Sequence, residues 1–395
     1  MRWPEALRER NFRLLYIGQA VSLLGDGMVG VALAFGVLEI SDSPSALGLV
    51  LAARTVPTIA LLLAGGVIAD RLPRRGVMVA ADVTRMAGHA LMAALLISGS
   101  AEVWSLAVLA AVNGAGTAFF APASTALLPM LVRPDQLVQA NALRGLAQSA
   151  GMVAGPALSG LLVATSGPGI ALAVDAATFA VSAAFLLALR VPALVPQPAA
   201  SFVRQLRDGW REFRARDWVW GIVLSASLAN MLSACYAVLG PVQAQRELGG
   251  AGAWATIVTA LGIGSVLGGA YMLHRRVERP LLVGCVLVLL WPLPWVLIAV
   301  AAPTAVVGLM VFNALWESTL QAEIPPESLS RVSAYDWLGS LALNPVGAAL
   351  VGPLAAGIGI ETTLIVCAAL AIVIDLWVLT LPGVRGVRAV ATEFA

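Results

Sequence analysis

Lysine is absent from this sequence, charged residues of all kinds make up only 12% of it, histidine occurs twice and cysteine three times. A soluble domain is nearer a quarter charged, so the low charge content, set against 59% hydrophobic residues, excludes a water-soluble fold. The missing lysine reads as coding bias, since arginine supplies all 24 strongly basic positions. Two histidines and three cysteines leave little for catalysis or metal binding. His89 and His274 have no partner at recognisable spacing, and Cys235, Cys285 and Cys367 fall inside apolar segments as packing residues. An enzyme is therefore not expected, nor a metal or cofactor. The phosphate loop Gly-x-x-x-x-Gly-Lys-Ser/Thr is missing too, which excludes ATP hydrolysis by this chain. A net charge of +2 gives no reason to expect nucleic acid.

What is present is a series of apolar stretches of roughly 20 residues, each long enough to cross a hydrocarbon core of about 30 Å. Windows of hydropathy place spans at about 12–38, 45–69, 77–98, 104–131, 139–165, 168–190, 218–242, 252–273, 281–300, 303–323, 331–357 and 361–381. All are expected to be helical, because lipid offers no partner to a free backbone amide. The first is too long for a signal-peptide core and is read as a retained helix.

Arginine placement sets the orientation. One set of loops carries Arg2, Arg8, Arg10 and Arg13; Arg71, Arg74 and Arg75; Arg133; Arg204 through Arg216; Arg275, Arg276 and Arg279; Arg331; and Arg385 with Arg388. The opposite loops hold Glu39, Asp42, Glu102 and Glu361, with Arg246 the exception. Basic loops stay inside, so both termini are expected in the cytoplasm.

The longest break, 191–217, divides the chain into six-helix bundles at 1–190 and 218–395. It opens on Val191-Pro-Ala-Leu-Val-Pro-Gln-Pro, which cannot continue a helix. Phe202, Leu206, Trp210 and Phe213 then recur at helical spacing among arginines, the pattern of an amphipathic helix on the inner leaflet; a solvated linker is the alternative. The halves echo each other: Pro134-Asp-Gln-Leu precedes Asn141-Ala-Leu-Arg-Gly, and Pro326-Glu-Ser-Leu precedes Ser333-Ala-Tyr-Asp-Trp-Leu-Gly. The expected fold is all-α and integral to the membrane, twelve helices in two bundles related by a pseudo-two-fold axis. Paired repeats of this kind suit transport by alternating access around a midplane site.

The loop between the second and third spans reads Gly65-Gly66-Val-Ile-Ala-Asp70-Arg71-Leu-Pro-Arg74-Arg75. It resembles the signature loop of the major facilitator superfamily, with Pro73 as the departure; the matching loop of the second half, His274 to Arg279, lacks the Asp. Asp82 with Arg85, Phe119-Phe-Ala-Pro-Ala and Asn141-Ala-Leu-Arg are similar to the macrolide-efflux and siderophore-export branch of drug:proton antiporters. The resemblance implies a monomeric secondary exporter of small amphipathic molecules in a bacterial cytoplasmic membrane, with protons and the bilayer as its other partners. An importer of a small solute and a non-transporting sensor are the alternatives. The resemblance also implies a cytoplasmic gate: Gly66, Asp70, Arg71, Arg74 and Arg75 meeting the start of helix 11, where Asp336 complements the helix dipole. In helix 5, Gly151, Gly155, Pro156 and Gly160 resemble an antiporter pattern and are read either as a hinge or as close packing against helix 8, at Gly264 and Gly268.

Charges at membrane depth are costly and are functional candidates by default. Asp26, between Gly25 and Gly27, lies within roughly 6 Å of the depth of Arg54, so these two could pair, either as a proton-coupling site or as a permanent salt bridge. Glu317 is the candidate of the second half for binding a cationic substrate or carrying a proton, with pairing to a neighbouring helix as the alternative, and Asn113 and Asn230 are candidates for lining the cavity or for hydrogen-bonding across helices. Asp175 and Asp375 are read as structural.

Overall fold

The computed structural model describes residues 5–191, 210–211, 214, 217–273, 280–300 and 338–381. In the first half the helices are α1 (Arg10–Ile40), α2 (Pro44–Arg71), α3 (Arg74–Ile97), α4 (Val103–Leu127), α5 (Leu137–Ser166) and α6 (Pro168–Leu187). They are followed by α7 (Asp217–Gln243), α8 (Ala251–Leu273), α9 (Pro280–Val288), α10 (Leu293–Ala299), α11 (Asn344–Ile358) and α12 (Ile360–Val378). Ten helices among the described residues are long and apolar enough to cross a membrane, and Ala251–Leu267 is a shorter apolar helix. The expected span at 303–323, most of the linker with its amphipathic segment, and the Pro326 copy of the internal repeat lie outside the described residues.

The span expected at 281–300 is broken. Helix α9 ends at Val288, a turn follows, and α10 starts at Leu293. Pro292 at its N-cap and Pro294 in its first turn lack amide protons, which costs no helical hydrogen bond at such positions. The span ending at 357 is interrupted in the same way before α11, whose first turn carries Pro345. Helix α5, by contrast, continues through Pro156, leaving the Met152 carbonyl without its usual helical donor.

The chain divides into two compact units, Met1–Pro196 with Pro241–Thr259, and Gln197–Gly240 with Ala260–Ala395. In the first, α1 packs between α5 and α6, α3 between α6 and α4, and α4 also against α2. In the second, α12 is the common partner of α9, α10 and α11. With no hydrophobic drive between helices in lipid, close backbone approach supplies the dispersion contact. A Cβ at Gly65 would lie 2.3 Å from the Ala118 carbonyl oxygen, and one at Gly155 would lie 2.6 Å from the Gly27 Cα, which ties α2 to α4 and α1 to α5.

Two helix junctions repeat a backbone conformation. Gly167, between α5 and α6, has φ 86° and ψ 163°, and Gly359, between α11 and α12, has φ 87° and ψ 156°. That region is essentially closed to side chains, so one glycine makes each turn. The match is backbone evidence for the internal repeat. Large apolar residues such as Leu91, Leu161 and Val373 stand exposed along the helices, as a lipid-facing surface requires.

Candidate functional site

Every ionisable side chain in the middle third of α1–α6 belongs to one cluster or its margin: Asp26, Arg54, Asp82, Arg85, His89 and Asp175. Helix periodicity assembles it. On α3, Asp82, Arg85 and His89 are spaced three and four residues apart and share a face. On α6, Asp175, Thr178, Phe179 and Ser182 do the same, and these helices pack on each other.

Arg85 is the hub. Its guanidinium bonds Asp82 Oδ1 at 2.5 Å and reaches Asp26 Oδ2 at 3.4 Å. Two rings hold its plane, with the guanidinium carbon 4.4 Å from the Phe120 centroid and 4.2 Å from that of Phe179. His89 Nδ1 bonds Asp175 Oδ2, and Asp175 Oδ1 also accepts from the Thr178 hydroxyl at 3.2 Å. The Phe179 ring lies 5.6 Å from the imidazole and so touches both halves of the cluster.

Three glycines make room for these groups. A Cβ at Gly25 would sit 2.1 Å from Asp175 Oδ1, at Gly116 2.8 Å from Arg85 Cγ, and at Gly88 2.3 Å from Asn113 Nδ2. Gly25, next to Asp26, thereby brings the His89–Asp175 pair against α1. Exposure separates the members: the Asp26 side chain is 30% accessible, whereas those of Arg85 and His89 are 3% and those of Asp82 and Asp175 are 0%. Asp26 is the cluster's opening to its surroundings.

The expected Asp26–Arg54 pair is replaced: the ion pair that Asp26 makes among the described residues is with Arg85, while Arg54 lies near enough to act on it through space. Equal depth fixed only one coordinate, and the rotation of α3 about its axis supplied the partner. His89, read from sequence as partnerless, is paired across helices, and Asp175, read as structural, is its partner. The periodic polar face of α3 was the available signal for all of these.

Asn113 is buried and donates to the Leu109 carbonyl of its own helix at 2.9 Å. Asn230 on α7 donates to the Ser340 carbonyl at 3.0 Å and accepts nothing at its side chain from Asn344, which donates instead to the Asn230 carbonyl at 3.2 Å. These bonds fasten α7 to the α11 segment, where a Cβ at Gly347 would lie 2.0 Å from the Met231 carbonyl oxygen. Glu317 and Asp336 lie outside the described residues, as do the side chains of Gly66, Asp70 and Arg71 at the end of α2. Arg74 donates to the Ala126 carbonyl at 2.9 Å and Arg75 to the Leu187 carbonyl at 2.7 Å. The basic pair thus caps the C-terminal ends of α4 and α6, where cations satisfy orphan carbonyls and complement the dipole.

In helix α5, Gly151 and Gly155 face Leu23, Leu24 and Gly27 of α1, while Gly160 meets Ala255 of α8. Most of the small-residue stripe therefore packs on α1 rather than on α8.

A model of the Major Facilitator Superfamily matches residues 15–335. Macrolide efflux protein A of Streptococcus pyogenes is 25% identical over 385 residues, covering 91% of this chain and 94% of that protein. Enterobactin exporter EntS of Escherichia coli O139:H28 is 26% identical over 359 residues, covering 87% and 85%. Among solved structures, the nucleoside transporter NupG superposes with a TM-score of 0.72 at 15% identity, covering 94% of this chain and 98% of that one. A bacterial homologue of the iron transporter ferroportin in an inward-facing state gives 0.69 at 17% identity, covering 94% and 99%. The matched fold, that of a multi-pass helical membrane protein, and the family model spanning most of the sequence agree: this chain belongs to the major facilitator superfamily.

Proposed function

We propose that this transporter is a proton-coupled exporter of small amphipathic molecules, of drug, macrolide or siderophore-like type, working by alternating access as a monomer in a bacterial cytoplasmic membrane. The observation that carries the reading is the Asp26–Arg85 ion pair at mid-helix, with the carboxylate partly open and the rest of its cluster buried. A buried network of charges at membrane depth is costly to keep and is characteristic of ion and substrate pathways. Substrate, proton and Arg85 compete for the Asp26 carboxylate, which gives proton movement a means of driving substrate movement. The export direction is supported by the two relatives named as a macrolide efflux protein and an enterobactin exporter.

In this reading, bundles 1–190 and 218–395 rock about the site, joined by the linker 191–217, with both termini cytoplasmic. Asp70 and Arg71 latch the cytoplasmic side against helix 11 and Asp336, and the α5 stripe at Gly151, Gly155, Pro156 and Gly160 slides or bends on α1. Glu317 and Asn230 are second-half candidates for contacting substrate.

The test is transport by reconstituted protein under an imposed pH gradient, across cationic, neutral and siderophore-like compounds, comparing wild type with Asp26→Asn. Gradient-driven movement of at least one class, lost in the variant, is the expected result. Unchanged transport in Asp26→Asn removes this residue from coupling, and no gradient-driven transport of any class overturns the reading.

A further inference from the structure

We propose that Cys235 and Cys367 form a two-thiolate binding site, between α7 and α12, for a soft divalent ion of the mercuric type. The inference is independent of the transport reading and concerns side chains that reading does not use. It starts from helix register. A Cβ at Gly221, near the start of α7, would lie 2.7 Å from Cδ1 of Leu381, which follows the end of α12. From that contact Cys235 lies 14 residues along α7 (221 to 235), and Cys367 lies 14 residues back along α12 (381 to 367). Fourteen residues are nearly four helical turns, so both cysteines return to the face of the first contact, about 21 Å along the seam. There the two thiols meet, each the hydrogen-bonding partner of the other. Cys235 is 0% and Cys367 5% exposed.

The internal repeat shows what has been exchanged at this seam. Cys367 stands eight residues after Gly359, as Asp175 stands eight after Gly167, the two glycines marking equivalent junctions. In the first half that position carries a carboxylate packed against Gly25 of α1. In the second it carries a soft sulfur donor, facing another on α7.

Thiolates select soft ions, and the apolar seam selects the charge. Two thiolates cancel a divalent ion, so the complex is neutral and its burial incurs no net-charge penalty, whereas Cu(I) or Ag(I) would leave one negative charge behind. Zinc asks for four ligands, and no group of three His, Cys, Asp or Glu that could hold a metal occurs among the described residues. Mercuric ion is satisfied by two sulfurs in line. It reaches the seam through lipid as neutral mercuric chloride. Two Hg–S bonds then form while two Hg–Cl and two S–H bonds break. Two protons and two chloride ions leave for water, and nothing is oxidised or reduced.

Cys285, on α9, has Asp375 beside it rather than a thiol, so Cys285→Ala leaves the pair as the only cysteines. The purified full chain carrying that substitution is loaded with mercuric chloride, challenged with excess glutathione and weighed by native mass spectrometry. Expected is one mercury retained per chain, with both cysteines shielded from N-ethylmaleimide. Once one thiol holds the ion, the second binds it intramolecularly, so adding Cys235→Ala or Cys367→Ala should weaken retention by about 100-fold or more. Methylmercury chloride, which takes one thiolate, should be stripped by glutathione from every variant.

Two mercury ions per chain, retention unchanged in either single-thiol variant, or methylmercury held as firmly as mercuric ion overturns the proposal. A second measurement separates loss of a ligand from loss of the fold. In crystals of the unmutated chain soaked with mercuric chloride, an anomalous mercury peak is expected between the Cys235 and Cys367 sulfurs. A peak at Cys285 with none at the pair overturns the proposal as well.

Discussion

Replacing Arg85 with Met tests whether the cluster is one electrostatic unit. The substitution keeps an apolar stem of similar length and removes the charge that compensates Asp82 at 2.5 Å and Asp26 at 3.4 Å. At an effective dielectric constant of about 20, those separations correspond to gross attractions of about 7 and about 5 kcal/mol. Most of that is cancelled by the cost of taking the charges out of water, so the measurable quantity is the penalty for stranding the partner, about 3–5 kcal/mol for a buried pair. Asp82, fully buried, dominates it; Asp26, which is partly open, contributes less. Arg85→Met is therefore expected to lower thermal stability in detergent strongly. Adding Asp82→Asn to Arg85→Met should restore most of the loss, since the stranded charge is then removed. Asp26→Asn in the same background should restore little. The thermodynamic cycle of single and double variants measures this coupling. Wild-type stability in Arg85→Met, or additive losses in the double variant, would refute the account of the cluster.

Gly155→Val should sharply reduce folded yield, because its Cβ would fall 2.6 Å from the backbone of Gly27 and force α1 and α5 apart, as size-exclusion profiles would show. Gly167→Ala has open space around it and should cost about 1–3 kcal/mol through backbone strain alone, measurable as a lowered unfolding temperature with transport retained at permissive temperature. Asn230→Ala should cost about 1 kcal/mol by removing the α7 bond to the Ser340 carbonyl, measurable as a lowered unfolding temperature.

Fold class was open to reading because lipid makes the code simple. A run of apolar residues has to be a helix, and arginine-rich breaks separate the runs. The predicted first span, 12–38, and α1 at Arg10–Ile40 differ only by frayed ends. The break at 289–292 was hidden because hydropathy windows average over the prolines that cause it. The site was only half visible. Hydropathy and rise per residue give a side chain's depth, and that is all that singles out Asp26 and Arg54 together in the sequence. They give nothing about azimuth, and it is the rotation of α3 that aims Arg85, rather than Arg54, at Asp26. The His89–Asp175 pair joins residues 86 positions apart, across an interface between α3 and α6 that no local spacing encodes. What did encode it was the row of polar residues down one face of each helix, Asp82, Arg85 and His89 against Asp175, Thr178 and Ser182. Two apolar helices each carrying one polar stripe bury those stripes together.

The most direct test of proton-coupled export uses inverted membrane vesicles acidified inside, where an exporter delivers substrate to the lumen. The account predicts that wild-type protein accumulates a lipophilic cation such as tetraphenylphosphonium in the lumen, that a protonophore collapses the accumulation, and that Asp26→Asn does not accumulate it. Accumulation that survives the protonophore, or that proceeds unchanged in Asp26→Asn, would contradict it.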